Sequence, residues 1–156
     1  MSMEADLLIH NSNLQVASDF DAMAAVLEWF DQFNCSFLPQ QLRIEAQTAL
    51  IEGFTNAVRH AHSHLSPETC IDLEIQISRE YFQIRIWDQG ATFDLEATLE
   101  ALKQEISDRS FNPLNRERHW GCIFLLKLRT EYDWIIRYTR ENYNRNCLLL
   151  RKKLSL

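Results

Sequence analysis

Glu52 and Asn56 lie four residues apart in a stretch with helical periodicity, which predicts a carboxylate and an amide side by side on one helix. Such a pair places a general base next to an oxygen ligand of the kind that Mg²⁺ prefers. At about 100° per residue, Arg59 falls within about 60° of both side chains, roughly opposite the apolar stripe of the helix. The same spacing is also typical of a plain polar face in solvent.

A second group, Asp88-Gln89-Gly90, follows a stretch of alternating apolar and polar residues. An Asp that leaves a strand just before a glycine is common in ordinary turns. The functional alternative is a buried carboxylate that accepts a hydrogen bond from a ring amine, with Gly90 allowing a base to lie against the backbone. Both interpretations are compatible with these residues alone.

Gly121 opens an apolar segment with helical spacing. A glycine at a helix N-terminus either exposes backbone N–H groups to a phosphate or permits tight packing. The polar residues 107–120 just before it show no periodicity, and they predict a mobile loop that closes over a ligand.

Hydrophobic periodicity predicts the elements that must position these residues. In chain order we predict strand 5–10, helices 18–33 and 39–64, strands 71–77 and 82–88, helices 94–106 and 121–129, and strands 131–140 and 145–153. No linker divides them, so we predict a single domain over residues 1–156. The element order favours an α/β (α+β) two-layer sandwich, in which a mixed sheet carries helices on one face.

Composition and charge exclude several classes of protein. The chain is 46% hydrophobic and 24% charged, which is typical of a globular domain and excludes a disordered or fibrous one. Residues 127–156 hold eight of the 16 basic residues, so the remaining chain is strongly acidic. Because nucleic acid binding depends on neutralising phosphates, we expect no direct contact with nucleic acid.

The cysteine and histidine positions and the N-terminus carry further expectations. The four cysteines lack the paired spacing of zinc or redox sites. His60 and His64 lie four residues apart, but no third ligand at fixed spacing accompanies them, so helix-end packing is favoured over zinc binding. There is no signal-peptide pattern and no apolar run of the roughly 18 residues that span a bilayer. We therefore expect a cytoplasmic protein without membrane contact.

Three stretches of the chain resemble one family of proteins. Residues 52–61, EGFTNAVRHA, resemble the N-box of the GHKL (Bergerat-fold) ATPases, above all its E-x-x-T-N-A-x-x-H form in bacterial anti-sigma factor serine-protein kinases. Residues 86–94, IWDQGATFD, resemble the D-x-G box of the family with its trailing F-D. Residues 121–125, GCIFL, lie where the family has its second glycine box, G-x-G-L-x-L. The resemblance spans about residues 5–153.

This resemblance implies the Bergerat fold and the roles of four residues. Glu52 is implied to be the general base that activates an attacking hydroxyl, and Asn56 to ligate a Mg²⁺ ion that bridges the phosphates of ATP. Asp88 is implied to receive the adenine amine, and Gly90 to make room for the adenine ring.

The phosphate end of the site is less similar to the family. The amides near Gly121 are implied to face the phosphates, within an ATP lid at about 107–120, and helical spacing adds Arg59 as a residue that could reach one. Arg116 and Arg118 are the candidates for the basic residue near the γ-phosphate. His119 stands in place of the first glycine of the second glycine box.

The resemblance implies a regulatory serine/threonine kinase that phosphorylates an anti-anti-sigma (STAS-domain) partner in a partner-switching system. Members of the family use apolar contacts to self-associate and to hold a sigma factor, so a homodimer and a sigma factor are further expected partners. Trp29, Phe30, Phe33 and Phe124 are interpreted as core residues, some of which could form a partner surface. The replacement at His119 favours the alternative, a binding module of the same fold that sequesters a partner without kinase activity.

Overall fold

In a computed structural model, the structure describes residues 8–33, 37–107 and 120–154. Within these ranges the strands and α-helices follow in the predicted order. The strands are β1 (Leu8–Ala17), β2 (Cys70–Ser78), β3 (Tyr81–Asp88), β4 (Ile135–Asn142) and β5 (Arg145–Lys153), and the helices are α1 (Met23–Asp31), α2 (Gln40–Asn56), α3 (Leu95–Ser107) and α4 (Trp120–Glu131). Arg116, Arg118 and His119, with most of the predicted lid 107–120, lie outside the described residues.

The strands form a sheet in the order β1-β2-β3-β5-β4. Each neighbouring pair in this sheet is antiparallel, so the prediction of a mixed sheet was wrong in that detail. The reason lies in the second hairpin, whose later strand β5 pairs with β3. Strand β4 runs parallel to β3, but β5 separates the two, and no parallel pair forms.

The helices pack on one face of the sheet, as the fold class predicted. Side chains of β2 alternate in burial, and Ile71, Leu73, Ile75 and Ile77 lie in the same apolar cluster as buried residues of the helices. The other face carries polar pairs between strands: the Gln15 amide, for example, donates a 2.8 Å hydrogen bond to Asp72. The alternating pattern therefore separates the core from the uncovered face.

Helix α2 supplies a large share of the helical core. The predicted apolar stripe is confirmed at Leu42, Ala46, Ala49 and Leu50, all of which are buried. Glu45 is buried as well, and two partners compensate for its burial. The Trp134 indole donates a 2.9 Å hydrogen bond to its carboxylate, and the Lys152 ammonium lies 3.6 Å away. Buried charges need such partners.

The regular part of α2 ends earlier than predicted. The α-helix stops at Asn56, and Ala57–Ala61 form a π-helical turn in which the His62 N–H donates to the Ala57 carbonyl. One extra residue in the turn changes the direction of every later side chain. Arg59 nevertheless remains close enough to Glu52 for its positive charge to oppose the rise that burial causes in the pKa of that carboxyl.

Three of the four aromatic residues interpreted as core are buried. Trp29, Phe30 and Phe33 lie in the apolar cluster, while Phe124 on α4 is 39% exposed. Asp94 caps α3 as an acceptor for the Ala97 N–H. Among the described residues, no helix is long and apolar enough to cross a membrane.

Candidate functional site

Asn56 and Asp88 face the same small cavity between the helices and the sheet. Its volume is about 20 Å³, which is room for one water molecule. The walls include residues of α2, β3, β4, β5 and α4 and of the segment between β3 and α3. Asn56, Asp88, Phe93, Leu125 and Tyr138 are among these residues. The structure thus brings together the N-box and the D-x-G box, which lie far apart in sequence.

The Asp88 carboxylate is buried and accepts hydrogen bonds at both of its oxygens. The Gly90 N–H and the Asn146 amide donate to Oδ1 at 3.0 and 2.8 Å, and the Tyr138 hydroxyl donates to Oδ2 at 2.8 Å. This set of donors satisfies both oxygens of a carboxyl group that is buried among apolar residues. It supports the buried-carboxylate interpretation over the plain turn.

Asn146 is the central residue of the network around Asp88, and sequence reasoning missed it. It lies directly opposite Asp88 in the β3–β5 pairing and is fully buried. Its amide also donates to the Gly90 carbonyl at 2.9 Å, and its oxygen accepts from the Thr92 hydroxyl and the Arg140 guanidinium at 3.2 Å each. In the sequence, Asn146 is visible only as a polar residue at the start of an apolar strand. Its pairing with Asp88 follows from the strand register alone.

Gly90 lies against the backbone of the π-helical turn. A Cβ atom at this position would come within 2.1 Å of the Ala61 carbonyl oxygen. The absence of a side chain therefore permits the close approach of the D-x-G turn to the end of the N-box helix. Room for an adenine ring at Gly90 stays a prediction.

Glu52 is half-buried, one turn before Asn56 on α2. Burial raises the pKa of its carboxyl above the ordinary value, and the positive charge of Arg59 acts in the opposite direction. A carboxylate whose pKa is shifted towards neutrality is a stronger proton acceptor than an exposed one. The general-base assignment of Glu52 stays a prediction with this electrostatic support.

The Arg59 side chain contacts an aromatic ring. Its guanidinium lies over the ring of Phe20, 5.4 Å from the centroid. Its charge also acts on the carboxyl of Glu52. A contact of Arg59 with a phosphate stays a prediction.

Gly121 is the second residue of α4, in agreement with the predicted helix start. Leu125, one turn further on, contributes to the wall of the cavity. The N-terminus of α4 and the cavity thus belong to the same region of the fold. Whether its amides bind phosphate is a prediction, and Arg118 lies outside the described chain.

His62 holds the backbone just after Asp88. The side chain is buried, and its Nε2 accepts a 2.8 Å hydrogen bond from the Gln89 N–H. Within the described residues its Nδ1 has no hydrogen-bond partner. Burial lowers the pKa of His62, and the negative charge of Asp88 opposes that effect. The described residues contain no group of three or more His, Cys, Asp or Glu arranged to hold a metal.

We expect the folded protein to lose stability as the pH falls below about 6.5, the ordinary pKa of histidine in an unfolded chain. In that range the unfolded state binds a proton that folded His62 does not yet accept, so the free energy of unfolding decreases by up to about 1.4 kcal/mol per pH unit. The loss levels off below the pKa of folded His62. Urea denaturation at several pH values measures this slope.

The matched variants are His62→Gln, which retains an acceptor but does not titrate, and His64→Gln at an exposed position. The first should flatten the pH dependence and the second should preserve it. If the wild type and His62→Gln lose stability equally between pH 6.5 and 5, His62 is not the responsible group.

The fold and the site together define an ATP-binding domain of the GHKL class. Residues 16–152 match the family described as the histidine kinase-like ATPase domain, and the protein belongs to this family. No curated protein matches the sequence significantly. The family match confirms the superfamily that the N-box and the D-x-G box predicted, and it supports ATP binding in a regulatory domain with kinase-type or ATPase-type chemistry.

Proposed function

We propose that the protein is an anti-sigma-type serine/threonine kinase that binds ATP with Mg²⁺ and phosphorylates a serine of an anti-anti-sigma (STAS-domain) partner. The observation that carries this proposal is the meeting of Asn56 and Asp88 at one cavity, with half-buried Glu52 one turn before Asn56. A sigma factor and a second copy of the chain are further proposed partners. Partly exposed Phe124 on α4 is suited to such an apolar contact.

The side chains around the cavity fit the two ends of the nucleotide. Asp88 is an acceptor suited to the adenine amine. No hydrogen bond within the described chain engages the Asn56 amide, so its oxygen is available to a metal ion. Mg²⁺ favours oxygen ligands and retains several waters, so one protein ligand with phosphate oxygens is a sufficient set. When bound, Mg²⁺ supplies positive charge that offsets the charge of the phosphates.

In the proposed transfer, the serine hydroxyl oxygen forms a bond to the γ-phosphorus of ATP. The bond from that phosphorus to the oxygen bridging the β-phosphate breaks, and ADP leaves. Glu52 accepts the hydroxyl proton, for which its raised pKa is suited. The amides near Gly121, with Arg59 and Arg118, are the proposed phosphate contacts.

A second candidate function is a partner-binding module of the same fold without turnover. It is favoured by the small volume of the cavity and by the Tyr138 hydroxyl at Asp88. Sequestration of a partner would then be the whole activity.

Calorimetric titration with ATP, with and without Mg²⁺, tests the ATP binding on which the proposal depends. We expect binding that Mg²⁺ strengthens, and Asp88→Asn should weaken it at least about tenfold, since a hydrogen bond to a charged group contributes about 1.5–3 kcal/mol. Asp72→Asn, on the opposite face of the sheet, is the matched control and should bind like the wild type. Equal affinities for wild type and Asp88→Asn, with both proteins folded, would remove Asp88 from the nucleotide site.

A further inference from the structure

Tyr138 on β4 belongs to no motif of the sequence. Its hydroxyl nevertheless donates to the Asp88 carboxyl group, the proposed acceptor for the adenine amine. It donates a 2.8 Å hydrogen bond to Asp88 Oδ2, while Oδ1 already accepts from Gly90 and Asn146. Oδ2 is therefore the oxygen of Asp88 with capacity for a further donor. An adenine amine and the Tyr138 hydroxyl would address the same atom.

The ring of Tyr138 also fills the space beside Asp88. It packs against the ring of Phe93 with a centroid distance of 4.7 Å, and both rings line the cavity of about 20 Å³. A cavity with room for one water cannot take a purine. The aromatic pair, Phe93 and Tyr138, must move before a base can reach Asp88.

The surroundings of the aromatic pair permit such a movement. Phe93 lies in the segment between β3 and α3, which has no regular structure, and its side chain is 40% exposed. Tyr138 lies on β4, an edge strand of the sheet. A second hollow of about 380 Å³, lined by Thr92, Phe93, Asp94 and Tyr138, adjoins the pair on the outside. This hollow provides space for the rings when they leave Asp88.

The protonation state of Tyr138 keeps the contact in place at neutral pH. Burial raises the pKa of the phenol, and the Asp88 carboxylate raises it further through its charge and hydrogen bond. The hydroxyl therefore remains a donor under ordinary conditions.

We propose that Tyr138 acts as an internal competitor of the nucleobase: its hydroxyl holds Asp88 Oδ2 until an incoming base displaces it, and an amine-bearing base regains a hydrogen bond there. The inference rests on the proposed ATP-binding function. Only the fraction of molecules with the aromatic pair displaced is competent to bind, and the apparent affinity is reduced by that fraction. A base without an amine at this position gains nothing at Asp88 in exchange for displacing Tyr138.

The test is Tyr138→Phe in the full chain, titrated with ATP and with GTP, which has a carbonyl where adenine has its amine. The variant retains the ring and loses the competing donor. We expect ATP and GTP each to bind about tenfold tighter than to the wild type, because neither base then has to break the hydrogen bond between Tyr138 and Asp88. The ratio of the two affinities should stay unchanged. Tyr143→Phe, at a residue that is 99% exposed, is the matched control and should change neither value.

The outcomes separate this inference from the proposed function. If the wild type binds ATP and Tyr138→Phe binds it no tighter, Tyr138 is not a competitor and the inference fails. If neither protein binds ATP, the proposed function itself fails. Circular dichroism checks the fold of the variant. Tyr138→Leu, which also lacks the hydroxyl, replaces Tyr138→Phe if that variant does not fold.

Discussion

Replacing Glu52 by Ala is expected to lower phosphoryl transfer to the proposed STAS partner by about 10²–10⁴-fold, the usual reach of general-base catalysis, while ATP binding stays unchanged. Glu52 lies one turn before Asn56 and is half-buried, so its carboxylate can reach a hydroxyl near the γ-phosphate without holding the base of the nucleotide. Alanine is also the best helix former, so α2 should persist. Single-turnover transfer of labelled phosphate, next to calorimetry with ATP, measures both quantities.

Two further variants give this experiment its controls. Glu100→Ala removes an exposed carboxylate on α3 and should leave transfer unchanged. Asn56→Ala should weaken nucleotide binding as well as transfer, because it removes the proposed metal ligand rather than the proposed base. If the wild type binds ATP and its partner but transfers no phosphate, the kinase proposal fails and the partner-binding module is retained, with His119 as the first residue to examine.

Replacing Gly90 by Ala is expected to reduce the free energy of unfolding by about 3 kcal/mol, at the upper end of the usual cost of overpacking. The new Cβ would lie 2.1 Å from the carbonyl oxygen and 2.6 Å from the carbonyl carbon of Ala61. Both are backbone atoms, so the strain can be relieved only by moving the D-x-G turn away from the π-helical turn. Such a shift also disturbs the Gly90 carbonyl, which accepts from Asn146 and Arg140.

Gly53→Ala is the matched comparison for this second expectation. Its Cβ would come within 2.4 Å of the terminal methyl of Ile86, which is the end of a flexible side chain. The cost should therefore be smaller, about 1 kcal/mol. Urea denaturation of both variants gives the two values. An equal or larger loss for Gly53→Ala would show that the approach to Ala61 does not limit the packing at this site.

The sequence by itself determined the order and type of the elements and the two boxes of the site. Apolar residues at every second position of Ile71–Ile77 predict a strand with one buried face, and the structure has that strand. The family match confirms the superfamily that the boxes at Asn56 and Asp88 indicated. These are local patterns, which are readable because periodicity and turn chemistry act over a few residues.

Strand pairing and helix phase, by contrast, were decided by the tertiary structure. The insertion of β5 between β3 and β4 made the sheet antiparallel throughout its described strands. The α-helix ended at Asn56 and continued as a π-helical turn, which the predicted helix over 39–64 did not contain. A single added residue in a turn changes no hydrophobic pattern strongly enough to be visible in one sequence.

The contacts of Asp88 show the same division most clearly. The sequence determined an Asp at a strand end, followed by a glycine. The tertiary structure alone decided that Asn146 lies opposite it, that Tyr138 donates to it, and that Gly90 meets Ala61. Asn146 and Tyr138 lie 58 and 50 residues away from Asp88 along the chain, and Ala61 lies 29 residues away from Gly90. Strand register and helix packing, which no local pattern encodes, bring these partners into contact.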